Sequence, residues 1–201
     1  MATTHRSGAK SRSSHTLFFA LWPDAGLRER IASAAAQLRE SQAPRGRWIG
    51  AHRYHLTVVF LGRHAVLPEA LVASALAAGD AARVAAFDFE LDLAGSFANR
   101  SIPWWLGCRS HVPGLGALRA ALLDGLRAAR VPVDEDTGHV AHVTILRDAD
   151  RVLPTTPMDP IRWRVREFAL IDSAMNARSG YDVLRRWSLG AELVSSVDSA
   201  R

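Results

Sequence analysis

Cysteine and lysine are almost absent from this chain of 201 residues, and both absences narrow what the protein can be. Cys108 is the single cysteine, so the chain forms no internal disulfide and holds no zinc site built on several cysteines. Lys10 is the single lysine, so arginine supplies nearly all of the positive charge. No apolar run is long enough to span a membrane, and we expect no membrane partner.

The ends of the chain differ in composition from its centre. The first 15 residues are polar and basic and lack the apolar core of a secretory signal, so we predict a disordered basic tail over 1–15. A single domain is expected over 16–190, followed by a C-terminal tail over 191–201. We expect the protein to be cytoplasmic.

The charge balance favours an anionic partner. Hydrophobic residues make up 48% and charged residues 22% of the chain, as in an ordinary globular protein, and the net charge is +5. Arginine binds phosphate through two parallel N–H bonds and stacks on bases. A genome rich in alanine and arginine codons would explain most of these arginines equally well.

Hydrophobic periodicity predicts helices and strands in alternation, with the same outline in both halves of the chain. Helices are expected from Pro23-Asp24 to about Glu40, from Pro68 to Ala82, and from the connector 111–116 to before Pro132. Strands are expected at 16–21, 54–61, 86–93, 103–109, around 142–147, at 162–171 and at 180–189, with a proline-rich loop at 154–160. This pattern predicts an α+β protein of two related lobes whose sheets are covered by helices on one side.

A motif of histidine, an apolar residue and threonine occurs twice, as His55-Leu56-Thr57 and His142-Val143-Thr144. Side chains alternate along a strand, so the histidine and threonine of each motif share a face. One imidazole can donate a proton while the other accepts one, and both acts are needed to cleave a phosphate ester. The threonine hydroxyls can bind phosphate oxygens, and Arg147 can offset transition-state charge.

The alternatives to a catalytic pair are ordinary ones. A single His-x-Thr in a strand is more often structural, and only the matched second copy strengthens the hypothesis. The run GLGALR at 114–119 lacks the third glycine of a dinucleotide fingerprint, and neither HExxH nor a phosphate-binding P-loop is present. We expect no metal and no cofactor.

The motifs and their flanks resemble the 2H phosphoesterase superfamily, in particular the bacterial RNA 2′,3′-cyclic phosphodiesterases, also called 2′-5′ RNA ligases. The resemblance runs from Thr16 to about Gly190 through LFFAL, RWIGAHRYHLTVVFLG and HVTILR. It implies a bilobal α+β fold, with two pseudo-two-fold-related lobes of antiparallel sheet, helices packed outside and both motifs lining a central groove. Ala51, His139 and Ala141 depart from the residues usual in the family, which concerns loop shape more than chemistry.

The resemblance also implies a reaction. Terminal 2′,3′-cyclic phosphates of RNA, such as those of tRNA fragments, would be hydrolysed to 2′-phosphates without metal by a monomeric enzyme. His55 would protonate the leaving oxygen and His142 would activate water. Thr57, Thr144 and Arg147 would hold the phosphate, and the reverse reaction would join RNA through a 2′-5′ bond.

Two alternatives stay open from the sequence. The same fold could act on another substrate, such as a 2′-5′ oligonucleotide or a cyclic nucleotide phosphate. The chain could also be an RNA-binding module without catalysis, although binding alone does not need two titratable imidazoles.

Overall fold

The computed structural model describes residues 14–133, 140–174 and 181–190. Within these ranges lie three α-helices, a short 3-10 turn over Ala51–Arg53 and nine strands. The helices are α1 (Ala25–Gln42), α2 (Glu69–Ala81) and α3 (Pro113–Ala128). The strands are β1 (His15–Leu21), β2 (Arg47–Trp48), β3 (Leu56–His64), β4 (Phe87–Ser96), β5 (Trp104–Gly107), β6 (His142–Arg147), β7 (Thr156–Val165), β8 (Glu167–Ala174) and β9 (Asp182–Ser188).

All nine strands belong to one antiparallel sheet with β3 and β6 at its centre. From the centre, the order is β3-β1-β8-β9 on one side, here the first lobe, and β6-β5-β4-β7 on the other, the second lobe. The short strand β2 pairs with β6 outside this order. Each motif strand therefore lies at the inner edge of its own four-stranded lobe, and the predicted bilobal α+β fold is confirmed.

Strand β1 is buried on both faces, which explains its almost wholly apolar sequence. Leu17, Phe19 and Leu21 point into the main core, where each is completely inaccessible. Phe18 and Ala20 point to the opposite face and pack in a smaller apolar cluster. The two phenylalanines thus separate as alternation requires, with Phe18 on the side that later proves to line a groove.

The helices begin where the sequence predicts, and their apolar sides are buried. Asp24 caps α1 by accepting a hydrogen bond from the Leu27 backbone N–H at 2.8 Å. The predicted leucine stripe of α3 is buried along its whole length, at Leu115, Leu118, Leu122 and Leu126. Among the described helices, none combines the length and the apolar composition that a membrane-spanning segment needs.

The segment 154–165 corrects the sequence prediction. Pro157 and Pro160 were expected in a loop, yet both lie within β7. Among the described strands β7 pairs only with β4, and proline is tolerated on such an edge strand because N–H groups on its outer side have no ladder partner. The strand expected over 162–171 is in fact two strands, β7 and β8, separated by Arg166 alone.

That single-residue link shows how strongly the sheet curls. β7 is the outermost strand of the second lobe, and β8 is next to the outermost strand of the first, so the ends of the sheet must approach each other. A bridge between Ala85, before β4, and Gly190, after β9, closes the same gap. The predicted hairpin of the last two strands is confirmed by the β8–β9 pairing. Its NARSG connection at 176–180 and the acidic run at 134–138 lie outside the described residues.

The close approach of α2 and α3 yields a stability prediction. A Cβ on Gly125 of α3 would lie 2.9 Å from Cα and Cβ of Ala78 in α2, closer than two carbons tolerate. Gly125→Ala should therefore lower the free energy of unfolding by about 1–3 kcal/mol, measured by urea denaturation. Gly26→Ala in α1 is the control, since its nearest neighbour is 3.7 Å away. Equal effects of the two substitutions would contradict this packing.

Candidate active site

The two motifs meet at the centre of the sheet through one residue pair. Leu56 of β3 lies opposite Val143 of β6, and both side chains are completely buried on the core side. Neighbours of a buried strand residue point to the other face, so the polar residues of both motifs share the face away from the core. The predicted common face of the two motifs follows from this pair.

Continuing the register by one step places each histidine opposite the threonine of the other motif. In an antiparallel pair the flanking residues exchange places, so His55 stands across from Thr144. By the same step, His142 stands across from Thr57. In this register, imidazoles and hydroxyls alternate around four neighbouring positions, here called the motif square.

A groove of about 640 Å³ opens on this face. Four of the five residues predicted for the site line it: His55, Thr57, Thr144 and Arg147. His142 is not among the lining residues and lies beside the groove, partly buried against the ring edge of Phe97 at 4.9 Å between centroids. The structure thus brings the predicted residues to one place, with His142 more sheltered than expected.

Both imidazoles are held by the same kind of hydrogen bond. Nδ1 of His55 lies 2.8 Å from the carbonyl oxygen of Arg53, and Nδ1 of His142 lies 2.7 Å from that of Val140. A carbonyl only accepts, so each Nδ1 carries the proton and donates it. Nε2 is then the nitrogen left for chemistry in each ring, with a lone pair when the ring is neutral.

The surroundings of both rings disfavour the imidazolium form. Burial lowers the pKa of His55 to about 4, and the positive charges of Arg147, a protonated His142 and Arg53 act in the same direction. The hydrogen bond to the Arg53 carbonyl opposes this effect. Burial also lowers the pKa of His142, with Arg147 again adding to it. Both rings are therefore neutral at pH 7 while the groove holds no anion.

Aromatic side chains fix the position of His55. Phe18 stacks on the imidazole with 5.0 Å between ring centroids and an angle of 29°. Trp22 stacks on it at 6.1 Å, and Tyr181 meets it edge-on at 5.3 Å. This packing restricts the His55 imidazole to one orientation. A group that donates a proton to a bound substrate needs such a fixed position.

Three tryptophans, Trp48, Trp104 and Trp105, are not among the residues that line the groove. Trp104 is completely buried, and its indole N–H donates to the Arg151 carbonyl at 2.9 Å. Trp105 is also buried, at 7% exposure, and Trp48 packs partly buried against the main core. Of the two phenylalanines that line the groove, Phe60 is the exposed one, with 48% of its surface accessible.

The sequence interpretation missed several arginines of the groove. Arg47 of β2 lies directly opposite Arg147 of β6, and both line the groove together with Arg53. Like charges facing each other across strands are destabilising unless an anion sits between them. Arg47 approaches Asp148 only at 3.5 Å, and Arg147 has no ion pair within the described ranges. The RW dipeptide before the first motif was noted as a family feature, but only the β2–β6 pairing reveals that Arg47 lies opposite Arg147.

The described residues hold no group of three or more His, Cys, Asp or Glu side chains placed to bind a metal ion. His52 lies in the 3-10 turn, where it is exposed and also lines the groove. His15, expected at the end of the tail, begins β1 and bonds Asp172 at 2.6 Å. His139 lies outside the described residues.

Comparisons with known proteins agree with this geometry. The family profile of the 2′-5′ RNA ligase superfamily matches residues 23–176. A comparison with curated protein sequences returns no match.

Solved structures resemble the whole domain. E. coli LigT in apo form is 34% identical, with a TM-score of 0.72 over 89% of this chain and 99% of that one. E. coli LigT complexed with 3′-AMP is 33% identical, with a TM-score of 0.68 over 88% and 98%. The protein TT0787 of Thermus thermophilus is 30% identical, with a TM-score of 0.64 over 88% and 99%. This chain therefore belongs to the 2′-5′ RNA ligase superfamily, the group of 2H phosphoesterases that its two His-x-Thr blocks resemble.

Proposed function

We propose that this phosphoesterase hydrolyses the 2′,3′-cyclic phosphate at the end of an RNA strand to a 2′-phosphate. The observation that carries the proposal is the equivalence of the two imidazoles. Each donates Nδ1–H to a backbone carbonyl, which leaves Nε2 available next to one arginine-lined groove. An acid and a base held this way on either side of one phosphate are what in-line opening of a cyclic diester requires.

The proposed reaction needs two proton transfers. His142 accepts a proton from water at Nε2 while the water oxygen forms a bond to phosphorus. The bond between phosphorus and the 3′ oxygen breaks, and that oxygen takes a proton from Nε2 of His55. Water and the cyclic diester are consumed, and a 2′-phosphate with a free 3′ hydroxyl is formed. The assignment of the two roles follows the family resemblance.

The remaining residues of the site act on the phosphate oxygens. Thr57 and Thr144 stand opposite the two histidines and can donate their hydroxyl protons to non-bridging oxygens. Arg147 projects into the groove without a competing ion pair among the described residues, so its charge is available for the transition state. Run in reverse with a ribose hydroxyl in place of water, the same chemistry forms a 2′-5′ bond.

The low pKa of His55 fits this role once substrate charge is included. A neutral ring cannot donate the proton that the leaving oxygen needs. A bound phosphodiester brings a negative charge next to a ring that Arg147 and burial keep neutral, and this charge raises the pKa of the imidazole. The bound substrate thus favours protonation of His55. An imidazolium with a low intrinsic pKa then gives up its proton readily.

The solved relatives support a nucleotide in the groove. E. coli LigT has been crystallised with 3′-AMP and with phosphate, so a protein 33–34% identical to this chain binds both ligands. A groove of about 640 Å³ has room for a nucleotide and more. RNA as the partner, monomeric state and cytoplasmic location stay predictions.

Removing either histidine should remove the activity. His55→Ala and His142→Ala should each lower kcat for an oligoribonucleotide with a 2′,3′-cyclic end by at least about a hundredfold. His111→Ala is the matched control, since this exposed residue lies in the connector before α3 and outside the groove. Product analysis should show a 2′-phosphate. Full activity in either variant would overturn the proposal, and binding without turnover in the wild type would favour a binding module.

The leaving group should separate the roles of the two rings. A nitrophenyl phosphodiester releases an anion that needs no proton, so its hydrolysis should be partly restored in His55→Ala and remain lost in His142→Ala. Comparison of kcat for both variants on both substrates provides the test. Rescue of His142→Ala instead would exchange the assigned roles.

Removing metal should leave the rate unchanged. The protons and charges of the proposed steps all come from side chains, so dialysis against EDTA should not alter kcat/KM for the cyclic-ended oligonucleotide. A loss that added divalent metal restores would contradict the mechanism.

Neutralising Arg147 should raise the pKa of both histidines. Its guanidinium repels the imidazolium form of each ring, so Arg147→Gln removes a force that favours the neutral form. NMR titration of the ring resonances should show both rings protonating at higher pH than in the wild type. Arg166→Gln, a loss of the same charge outside the groove, is the control. Unchanged or lower pKa values in Arg147→Gln would contradict this account.

A further inference from the structure

The groove continues away from the motifs along β1 and β3 in three steps. Cross-strand pairs of these strands succeed one another as Ala20–Thr57, Phe18–Phe60 and Thr16–Arg63. The β3 members recur every three residues, since the pairing skips one residue of β3 at each of two irregularities. The skipped residues, Val58 and Leu61, are buried in the core.

All three β3 side chains consequently line the groove, although strict alternation would turn Phe60 away from it. Gly62, beside the second irregularity, has a φ of 112°, which glycine adopts at little cost. The bulged strand therefore presents a hydroxyl, an aromatic ring and a guanidinium in sequence along the groove.

The third pair, Thr16–Arg63, has the chemistry of a phosphate-binding subsite. Arg63 is exposed, and within the described ranges its side chain forms no ion pair or hydrogen bond. Thr16 lies opposite Arg63, and Ser173 of β8 lies on the other side of Thr16. These three residues line the groove together and offer a guanidinium and two hydroxyls to a phosphate.

The charge of the whole lining favours an anionic chain. The described residues that line the groove include four arginines and no carboxylate. The four are Arg47, Arg53, Arg63 and Arg147. A uniformly basic groove with aromatic rings is typical of sites that follow a single nucleic-acid strand.

The distance along β1 assigns Arg63 to a different phosphate from the reacting one. Ala20 and Thr16 are four residues apart, which corresponds to about 13 Å along the strand. A phosphate held at Thr57 is therefore not the phosphate that Arg63 contacts. Since a 2′,3′-cyclic phosphate is the 3′ end of its strand, further phosphates lie on the 5′ side.

We propose that Arg63, with Thr16 and Ser173, binds a phosphate on the 5′ side of the reacting end, so that the protein prefers oligonucleotides to mononucleotides. The exposed ring of Phe60, between the two phosphate positions, packs against the intervening nucleotide. This inference rests on the proposed function, because it takes the motif square as the site of the reacting phosphate.

A length series tests the proposal directly. Substrates are a nucleoside 2′,3′-cyclic phosphate, which has no second phosphate, and the di- and trinucleotides with the same end. For the wild type, kcat/KM should rise with the added phosphates. Arg63→Gln should lower kcat/KM for the trinucleotide roughly tenfold and leave the mononucleotide within about twofold. The slope of log affinity against log salt for the trinucleotide should fall by about 0.7 in this variant.

Two further variants test whether the effect of Arg63→Gln comes from the loss of positive charge at this position. Arg63→Lys should restore part of the trinucleotide preference, and Arg166→Gln should behave as the wild type. Circular dichroism spectra equal to the wild type establish that Arg63→Gln is folded; if it is not, Arg63→Lys decides. An equal loss on all three substrates, or no loss on any, overturns the proposed subsite.

A binding measurement separates this proposal from the proposed activity. Fluorescence anisotropy with a labelled trinucleotide ending in a 2′-phosphate, with the nucleoside 2′-phosphate as competitor, requires no turnover. If the wild type hydrolyses no cyclic phosphate, the proposed activity fails. The subsite then stands if Arg63→Gln weakens only trinucleotide binding, and it fails if both ligands bind as in the wild type.

Discussion

The single pairing of Leu56 with Val143 is the contact on which the rest of the site depends. It joins the inner edges of two four-stranded lobes, and its register decides what lies on the opposite face. Because a slip of one residue turns every side chain of a strand to the other face, such a slip would bury one motif in the core. The complete burial of both side chains of the pair holds the register, since exposing either would cost roughly 1.5–3 kcal/mol. The packing of the core thereby determines which residues face each other in the motif square.

The positive charge of the groove comes from its arginines. The lining is basic, and burial keeps both imidazoles neutral, so the free site carries a positive field without two charged rings in contact. An arriving phosphate diester is attracted by the arginines and then changes the protonation of the rings that act on it. Substrate binding and protonation of His55 are therefore linked, because the negative charge of the bound phosphodiester favours the imidazolium form of that ring.

The sequence predicted the elements of the site better than their arrangement. Period-2 alternation is local, so the common face of His55 and Thr57 could be inferred from the motif alone. The contact between the two motifs is a pairing across 87 positions of sequence, and only the family resemblance anticipated it. Pro157 was expected in a loop because its tolerance in β7 depends on that strand lying at the edge. Phe60 was missed because the bulges in β3 break the alternation on which the prediction relied.

The proposed reaction requires both histidines to act on one phosphate. A crystal structure of the protein with inorganic phosphate, determined near pH 7, tests it most directly. We expect one phosphate in the groove with Nε2 of His55 and Nε2 of His142 both within hydrogen-bond distance, about 3.2 Å or less, of its oxygens. A phosphate bound to one ring alone, or rings that turn Nε2 away from the bound anion, would contradict it.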